Sequence, residues 1–298
     1  MRQLPAPALI AGASFLFSLM GLGVKLASSH HGAGEIVFYR SLVGLLLIGW
    51  LARRRGVSLA TTVPAMHFWR SASGVAALCL WFFALGQLPL ATAMTLNYMS
   101  SVWMALFLLG GAVIVGSSRI DGRLVAAVLA GFAGVALILR PTIDQNQLWH
   151  GLAGLCSGML SAMAYLQVTA LGRAGEPELR VVFYFCVGGT LAGAALTLAG
   201  GGFTRPTPAS GFTLVVIGLL VASAQLMMTR AYAIGSTLSN ATLQYLGILF
   251  SFAWGVWFFD DPVTAGAIAG MLLIVAAGLT ATWVSVKARA PVAPTNET

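Results

Sequence analysis

Two stretches, Leu85–Tyr98 (LGQLPLATAMTLNY) and Tyr232–Tyr245 (YAIGSTLSNATLQY), decide the fold. Each sets small, hydroxyl-bearing residues ahead of an amide and a tyrosine: Asn97-Tyr98 in one, Gln244-Tyr245 in the other, 147 positions apart. Two further pairs keep nearly the same offset. Ala130–Val135 (AGFAGV) matches Ile274–Leu279 (IVAAGL) at 144, and Glu35–Tyr39 (EIVFY) matches Arg180–Tyr184 (RVVFY) at 145. The chain reads as a duplication, with shared membrane-helix composition as the alternative source of so weak a likeness.

The composition says where such a duplication folds. The 298 residues are 58% hydrophobic and 8% charged, with a mean hydropathy of +0.89, whereas about a quarter of the residues of a soluble domain are charged. Crossing the hydrocarbon takes about 20 apolar residues. Apolar runs between polar or Pro/Gly breaks predict helices over 6–27, 35–52, 65–86, 90–116, 121–140, 148–171, 179–200, 211–233, 238–259 and 263–286. The predicted fold is an all-α integral membrane protein of ten transmembrane helices, with connections too short to hold a separate domain. Five helices per half is an odd number, so the second copy enters the membrane from the opposite side. The result is a five-plus-five inverted repeat, residues 1–141 and 148–286, with 287–298 as a cytoplasmic tail.

Basic residues orient this frame. With the N-terminus inside, twelve Lys and Arg, Arg53–Arg55 and Arg70 among them, fall on inner segments, and four (Lys25, Arg40, Arg140, Arg205) on outer ones. The positive-inside rule then puts both termini in the cytoplasm of a multi-pass inner-membrane protein and the Asp260-Asp261 turn outside. The net charge of +8 is scattered singly apart from Arg53–Arg55, so no basic face for nucleic acid is expected. Cys79, Cys156 and Cys186 are far apart in apolar runs, without metal-ligand spacing, and no cofactor or metal is expected. Among the 35 Gly, the GxxxG pairs Gly154/Gly158, Gly189/Gly193 and Gly266/Gly270 read as internal packing seams rather than a dimer code. Monomer and homodimer both stay open.

Several segments resemble a known family. Phe15–Leu45 (FLFSLMGLGVKLASSHHGAGEIVFYRSLVGL), Phe82–Ala93 (FFALGQLPLATA), the LRP ending at Pro141, and Phe258–Thr264 (FFDDPVT) are similar in order and spacing to EamA-type members of the drug/metabolite transporter superfamily. The likeness spans about residues 6 to 286. It implies a ten-helix inverted-repeat carrier that exports or exchanges small metabolites. The chain departs from that pattern at Val102, where a proline is common, at Ser117, where an acid is common, and near Ala170, where a base is common.

Ionisable groups within the bilayer are costly, about 2.5–3.5 kcal/mol for Arg or Lys at a helix centre, and call for a task. Arg40 lies five residues past Glu35 among Val37, Phe38, Leu42 and Val43. It reads either as a binding-site cation or as an anchor that snorkels to the outer interface. Lys25, near the end of the first helix, has the same two readings, and Glu35 is expected to neutralise one of the two bases. The remaining cation would attract an anionic group on a small-molecule substrate. Unpaired amides are also expensive in hydrocarbon, so Asn97, Tyr98, Gln244 and Tyr245, inside the fourth and ninth helices, face a central pocket or bond between helices. Gln225, Gln167, Tyr165 and Trp81 are further candidates on the same argument. The competing reading is a membrane-embedded enzyme using His31 and Glu35 at the outer face, against which solvated loop histidines are the plainer account.

Overall fold

A computed structural model describes residues 4–114, 147–261 and 263–287, with scattered positions between 126 and 137. Eleven helices are delimited among them: α1 (Ala6–Ala27), α2 (Ala33–Arg54), α3 (Pro64–Leu85), α4 (Leu90–Tyr98), α5 (Ser100–Ile114), α6 (Leu148–Arg173), α7 (Glu178–Ala199), α8 (Pro208–Ile234), α9 (Thr237–Leu243), α10 (Leu246–Phe259) and α11 (Ala265–Lys287). All described elements are helical. Six of them, α1, α2, α3, α6, α7 and α8, are 22 to 27 residues long with mean hydropathy of 1.3 to 2.0 over their best windows, enough at 1.5 Å per residue to cross a bilayer. The predicted span 121–140, the Ser117 position and Pro141 lie largely or wholly outside the described residues.

The main departure from the sequence reading is that the predicted helices 90–116 and 238–259 are each broken in two. The first break falls at Met99, whose N–H bonds to both Thr95 O (3.1 Å) and Leu96 O (3.3 Å). The second falls at Gln244-Tyr245, where Gly247 and Ile248 N–H close three-residue turns onto Gln244 O and Tyr245 O at 2.9 and 3.0 Å. The amide-tyrosine pairs therefore sit at helix junctions rather than inside continuous helices. Tightened turns cost hydrogen-bond quality, and backbone of this kind survives at membrane depth only where protein or a cavity surrounds it. Protein supplies that cover at the first break. A Cβ on Gly158 of α6 would lie 2.6 Å from Leu96 O and 3.0 Å from Asn97 O, so α6 can lie against the α4–α5 junction only with glycine there.

Packing follows a regular scheme. α2 lies on α7, α1 on α8 and α3 on α6; α8 also meets α2, and α7 meets α3; α1 touches α9 and α10, and α6 touches α4 and α5; α4 packs on α10 and α5 on α9. Small residues make the tightest of these contacts, as expected where lipid offers no hydrophobic drive between helices. On α7, a Cβ at Gly193 would come within 2.5 Å of Phe38 N. The Gly189/Gly193 and Gly154/Gly158 pairs are both internal seams, the first against α2 and the second against α4. Met20, Leu78, Phe82, Met94, Leu96 and Ile217 form the largest apolar core, and it encloses the α4–α5 junction.

Candidate functional site

The helices position two cations at the centre of the bundle. Arg40 stands seven residues into α2 and Arg70 six residues into α3, each about 9–10 Å from its helix end. Both are only 2% exposed. They converge on one ring, Phe185 of α7, whose centroid lies 5.6 Å from Arg40 Cζ and 4.1 Å from Arg70 Cζ. Arg70 Nη2 donates a long bond of 3.4 Å to Gln225 Oε1 on α8. Nε of Arg40 and Nε of Arg70 are buried with no acceptor, and among the described residues no carboxylate pairs with either group. Gly74, one turn beyond Arg70, clears the space into which that side chain folds: a Cβ there would collide with Arg70 Nη1 and lie 2.9 Å from Phe185 Cε2.

Around these cations lies a cavity lined by Arg40, Arg70, Trp81, Asn97, Tyr98, Ser161, Tyr165, Phe185 and Gln225, with Phe17, Met20, Gly74, Leu78 and Ala164 filling in. Asn97 reaches it from the last turn of α4, its Nδ2 fixed on Ser157 Oγ (3.0 Å) and Ser161 Oγ (3.2 Å) of α6. Tyr165 stacks on Tyr232 with centroids 5.4 Å apart. The tyrosine, indole and phenyl faces make apolar walls, while hydroxyls and amides supply neutral polar contacts. The cavity volume is about 50 Å³, enough for a few water molecules and smaller than the pockets that enclose organic ligands. A metabolite enters only if helices around the cavity part.

Six of the ten residues singled out in the sequence line this cavity: Arg40, Trp81, Asn97, Tyr98, Tyr165 and Gln225. Gln244 and Tyr245 are buried, 3% exposed each, at the other helix break without lining it. Gln167 accepts from Ser73 Oγ at 3.1 Å. Lys25 lies elsewhere. Its Nζ is 2.9 Å from Asp261 Oδ1 and 4.5 Å from the Phe259 centroid, while Asp261 Oδ2 accepts Leu90 N–H at 2.7 Å, capping α4. One carboxylate thus staples α1, α4 and the end of α10 together.

Glu35 neutralises neither base, contrary to expectation. It is 3% exposed, accepts N–H and Oγ–H from Thr204 at 3.0 and 2.8 Å, and lies 3.1 Å from His31 Nδ1. His31 is not a solvated loop histidine either, being 4% exposed and 2.9 Å from Thr204 Oγ1. This cluster ties the α1–α2 turn to the α7–α8 loop. A second cluster ties the α6–α7 turn to the α2–α3 loop: Glu176 accepts from Thr61 Oγ1 (3.0 Å), lies 3.0 Å from His67 Nε2, and pairs with Arg180, which also donates to Ser58 O. Burial alone would raise the Glu176 carboxyl, but bonds from His67, Arg180 and Thr61 and the Arg180 charge outweigh it and hold the group below its usual range.

Sequence reasoning missed Arg70, Ser161 and Phe185. Arg70 was assigned to the inner edge as a topology marker, although its depth along α3 nearly equals that of Arg40 along α2. The same depth argument applied to both would have found it.

No family model matches the chain. Among characterised proteins it is similar to the pseudopaline exporter CntI of Pseudomonas aeruginosa, 34% identical over 266 residues that cover 89% of this chain and 91% of that one. It is also similar to a riboflavin transporter of Rhizobium johnstonii, 26% identical over 91% and 87% of the two chains. A solved crystal structure, 18% identical, superposes with a TM-score of 0.70 over 96% of this chain and 99% of that one, which shows a shared fold. Apolar helices of spanning length, a buried polar cavity beside a helix break, and similarity over nearly the full length of a named exporter converge: the chain is a transporter rather than an enzyme, and belongs to the membrane-transporter family that includes the pseudopaline exporter.

Proposed function

We propose that the protein is a secondary carrier of the EamA type within the drug/metabolite transporter superfamily. It exports or exchanges a small organic molecule bearing an anionic group, by alternating access between two inverted five-helix repeats, 1–141 and 148–286. The observation that carries this reading is the pair of buried guanidinium groups, with no acid among the described residues around them, in a cavity beside a helix break. Such a cavity is built to be completed by an anion. The 34% identical relative, an exporter by name, supports the direction.

The packing scheme supports the repeat. Exchanging each helix for its counterpart five positions along (α1 for α6, α2 for α7, α3 for α8, α4 for α9, α5 for α10) turns α1–α8 into α6–α3, α2–α8 into α7–α3, α4–α10 into α9–α5, and α2–α7 into itself, and all of these contacts occur. The breaks fall at corresponding places, and each face has one buried carboxylate tying a turn of one half to a loop of the other, Glu35 to Thr204 and Glu176 to Thr61. The positive-inside count supports an inner-membrane protein with both termini and the tail 287–298 in the cytoplasm. Discontinuous helices meeting in mid-bundle supply the binding elements that carriers of this architecture use.

The test is accumulation of labelled organic anions by inverted membrane vesicles carrying the parent or Arg40→Gln at matched expression. The parent is expected to accumulate an anionic metabolite that the variant does not; equal transport by both removes Arg40 from the site.

A further inference from the structure

We infer that the cargo carries two carboxylate groups, one for each guanidinium, and that Arg40 and Arg70 together discriminate diacids from monoacids. This rests on the carrier reading above and goes past it, since a carrier of monoanions needs only one cation.

The charge inventory comes first. Among the described residues lining the cavity are two guanidinium groups and no acid, and the rest of the lining is neutral. A monoanion would leave one buried positive charge uncompensated, and uncompensated charge is the costly condition in a site shielded from water. The donor inventory agrees. A guanidinium offers five N–H donors in a planar fork that matches a carboxylate edge. Arg40 donates to no described residue and Arg70 makes one long bond, to Gln225, so nearly all of both forks are uncommitted.

Geometry sets the separation. Both Cζ atoms lie close to one ring centroid, at 5.6 and 4.1 Å, so they stand less than about 10 Å apart, a span that a short-chain diacid bridges with one carboxylate on each fork. The side chains are also held in place. Gly74 gives Arg70 its folded position, and Phe185 presents its ring to both cations, leaving their N–H edges for the cargo. Asn97 and Ser161, bonded to each other at 3.2 Å, add neutral groups to the rest of the lining.

The experiment is a thermal-shift titration of the purified full chain in detergent at constant ionic strength. The probes are succinate, glutarate and adipate, each against the monoacid of equal chain length (butyrate, valerate, hexanoate), with inorganic phosphate as a dianion on a single centre. Binding to the folded state alone stabilises it by RT ln(1 + [L]/Kd), so at equal concentration the tighter ligand gives the larger rise in Tm. At least one diacid is expected to bind about 100-fold tighter than its monoacid, the equivalent of one further charge-assisted contact. Arg40→Gln and Arg70→Gln are each expected to reduce that diacid to the monoacid level, and the double variant to abolish both.

If butyrate, valerate and hexanoate match the diacids and only Arg40→Gln removes the shift, the two-carboxylate inference falls while the carrier of a monoanion stands. Phosphate outbinding every diacid would place both charges on one group and overturn it as well. If no diacid shifts the parent, or if neither variant alters a shift that is seen, the paired site is overturned outright. Size-exclusion profiles and unliganded Tm values of the Gln variants separate lost binding from lost folding.

Discussion

Lys25 and Arg40 belong to adjacent helices of the same half, and both are cations among apolar side chains, yet the fold treats them oppositely. At the end of α1 it brings Asp261, 236 positions away, to 2.9 Å from Lys25. In mid-bundle it brings Arg40 a second cation, Arg70, instead of an acid. Two guanidinium groups less than about 10 Å apart repel by more than about 1.5 kcal/mol at an effective dielectric of 20, on top of the cost of burying each. The chain supplies an acid to Lys25 and, among the described residues, none to Arg40, and under the proposed function that second charge meets the cargo. Under the proposed function Lys25 is a structural cation, and Arg40 and Arg70 are the ones that meet the cargo.

The contrast breaks most readily at the centre. Arg40→Gln or Arg70→Gln should lower transport by about 100-fold or more, the loss of one charge-assisted contact worth about 3 kcal/mol, while leaving the unliganded Tm unchanged or higher because an uncompensated charge is gone. A Tm that drops with the activity would make these arginines structural and erase the distinction. At the edge the signs reverse. Asp261→Asn, which strands a partly buried Lys25 and weakens the cap on α4, should cost about 2 kcal/mol of stability. Much of that should return in the Lys25→Met/Asp261→Asn double variant, read as a coupling energy from a double-mutant cycle.

Smaller changes sharpen the same comparison. Gly74→Ala should displace Arg70 and cost about 10-fold in transport, about 1.4 kcal/mol, with expression unchanged, and measured mainly as weaker apparent affinity. The smallest effect is on pH. The Glu176 carboxyl is held below its unfolded value, so the stability it contributes is fully present above about pH 4.3 and is lost as pH falls through its lower folded value. Tm should therefore decline below about pH 4.3 more steeply in the parent than in Glu176→Gln. Identical acid limbs for the two proteins would mean that the cluster on that face contributes nothing.

Much of this was legible in the residues, and the remainder has physical reasons for being hidden. Hydropathy located α1 at its actual ends and α3 within one residue, because a lipid-exposed helix must be apolar along its whole length. The breaks at Met99 and Gln244-Tyr245 escaped because hydropathy registers side chains, whereas a three-residue turn is a property of the backbone, signalled only by the amide-tyrosine pairs that mark the spot. Arg40, Asn97, Tyr98 and Gln225 were found through the cost of burying them. Arg70 was lost to a rule that counts charges near helix ends without asking how deep they lie. The Lys25–Asp261 pair and the tie of Glu35 to Thr204 join residues more than 160 positions apart, and only the packing of α1 on α10 and α2 on α7 brings them together.

A cavity with two fixed positive charges and no acid among its described lining residues also has an electrical side. In the proposed cycle, a carrier filled with a diacid is neutral at its centre and reorients without moving net charge, and the empty carrier returns with two charges in the membrane field. Each elementary charge is worth about 2.3 kcal/mol per 100 mV, so the pair senses about 4.6 kcal/mol. A cell interior at negative voltage would then itself expel a doubly charged anion, with no proton gradient consumed and no intramembrane carboxylate required. Imposing potassium diffusion potentials on loaded vesicles would reveal this as efflux that steepens with voltage, and efflux indifferent to voltage would show that cargo and site do not carry these charges through the cycle.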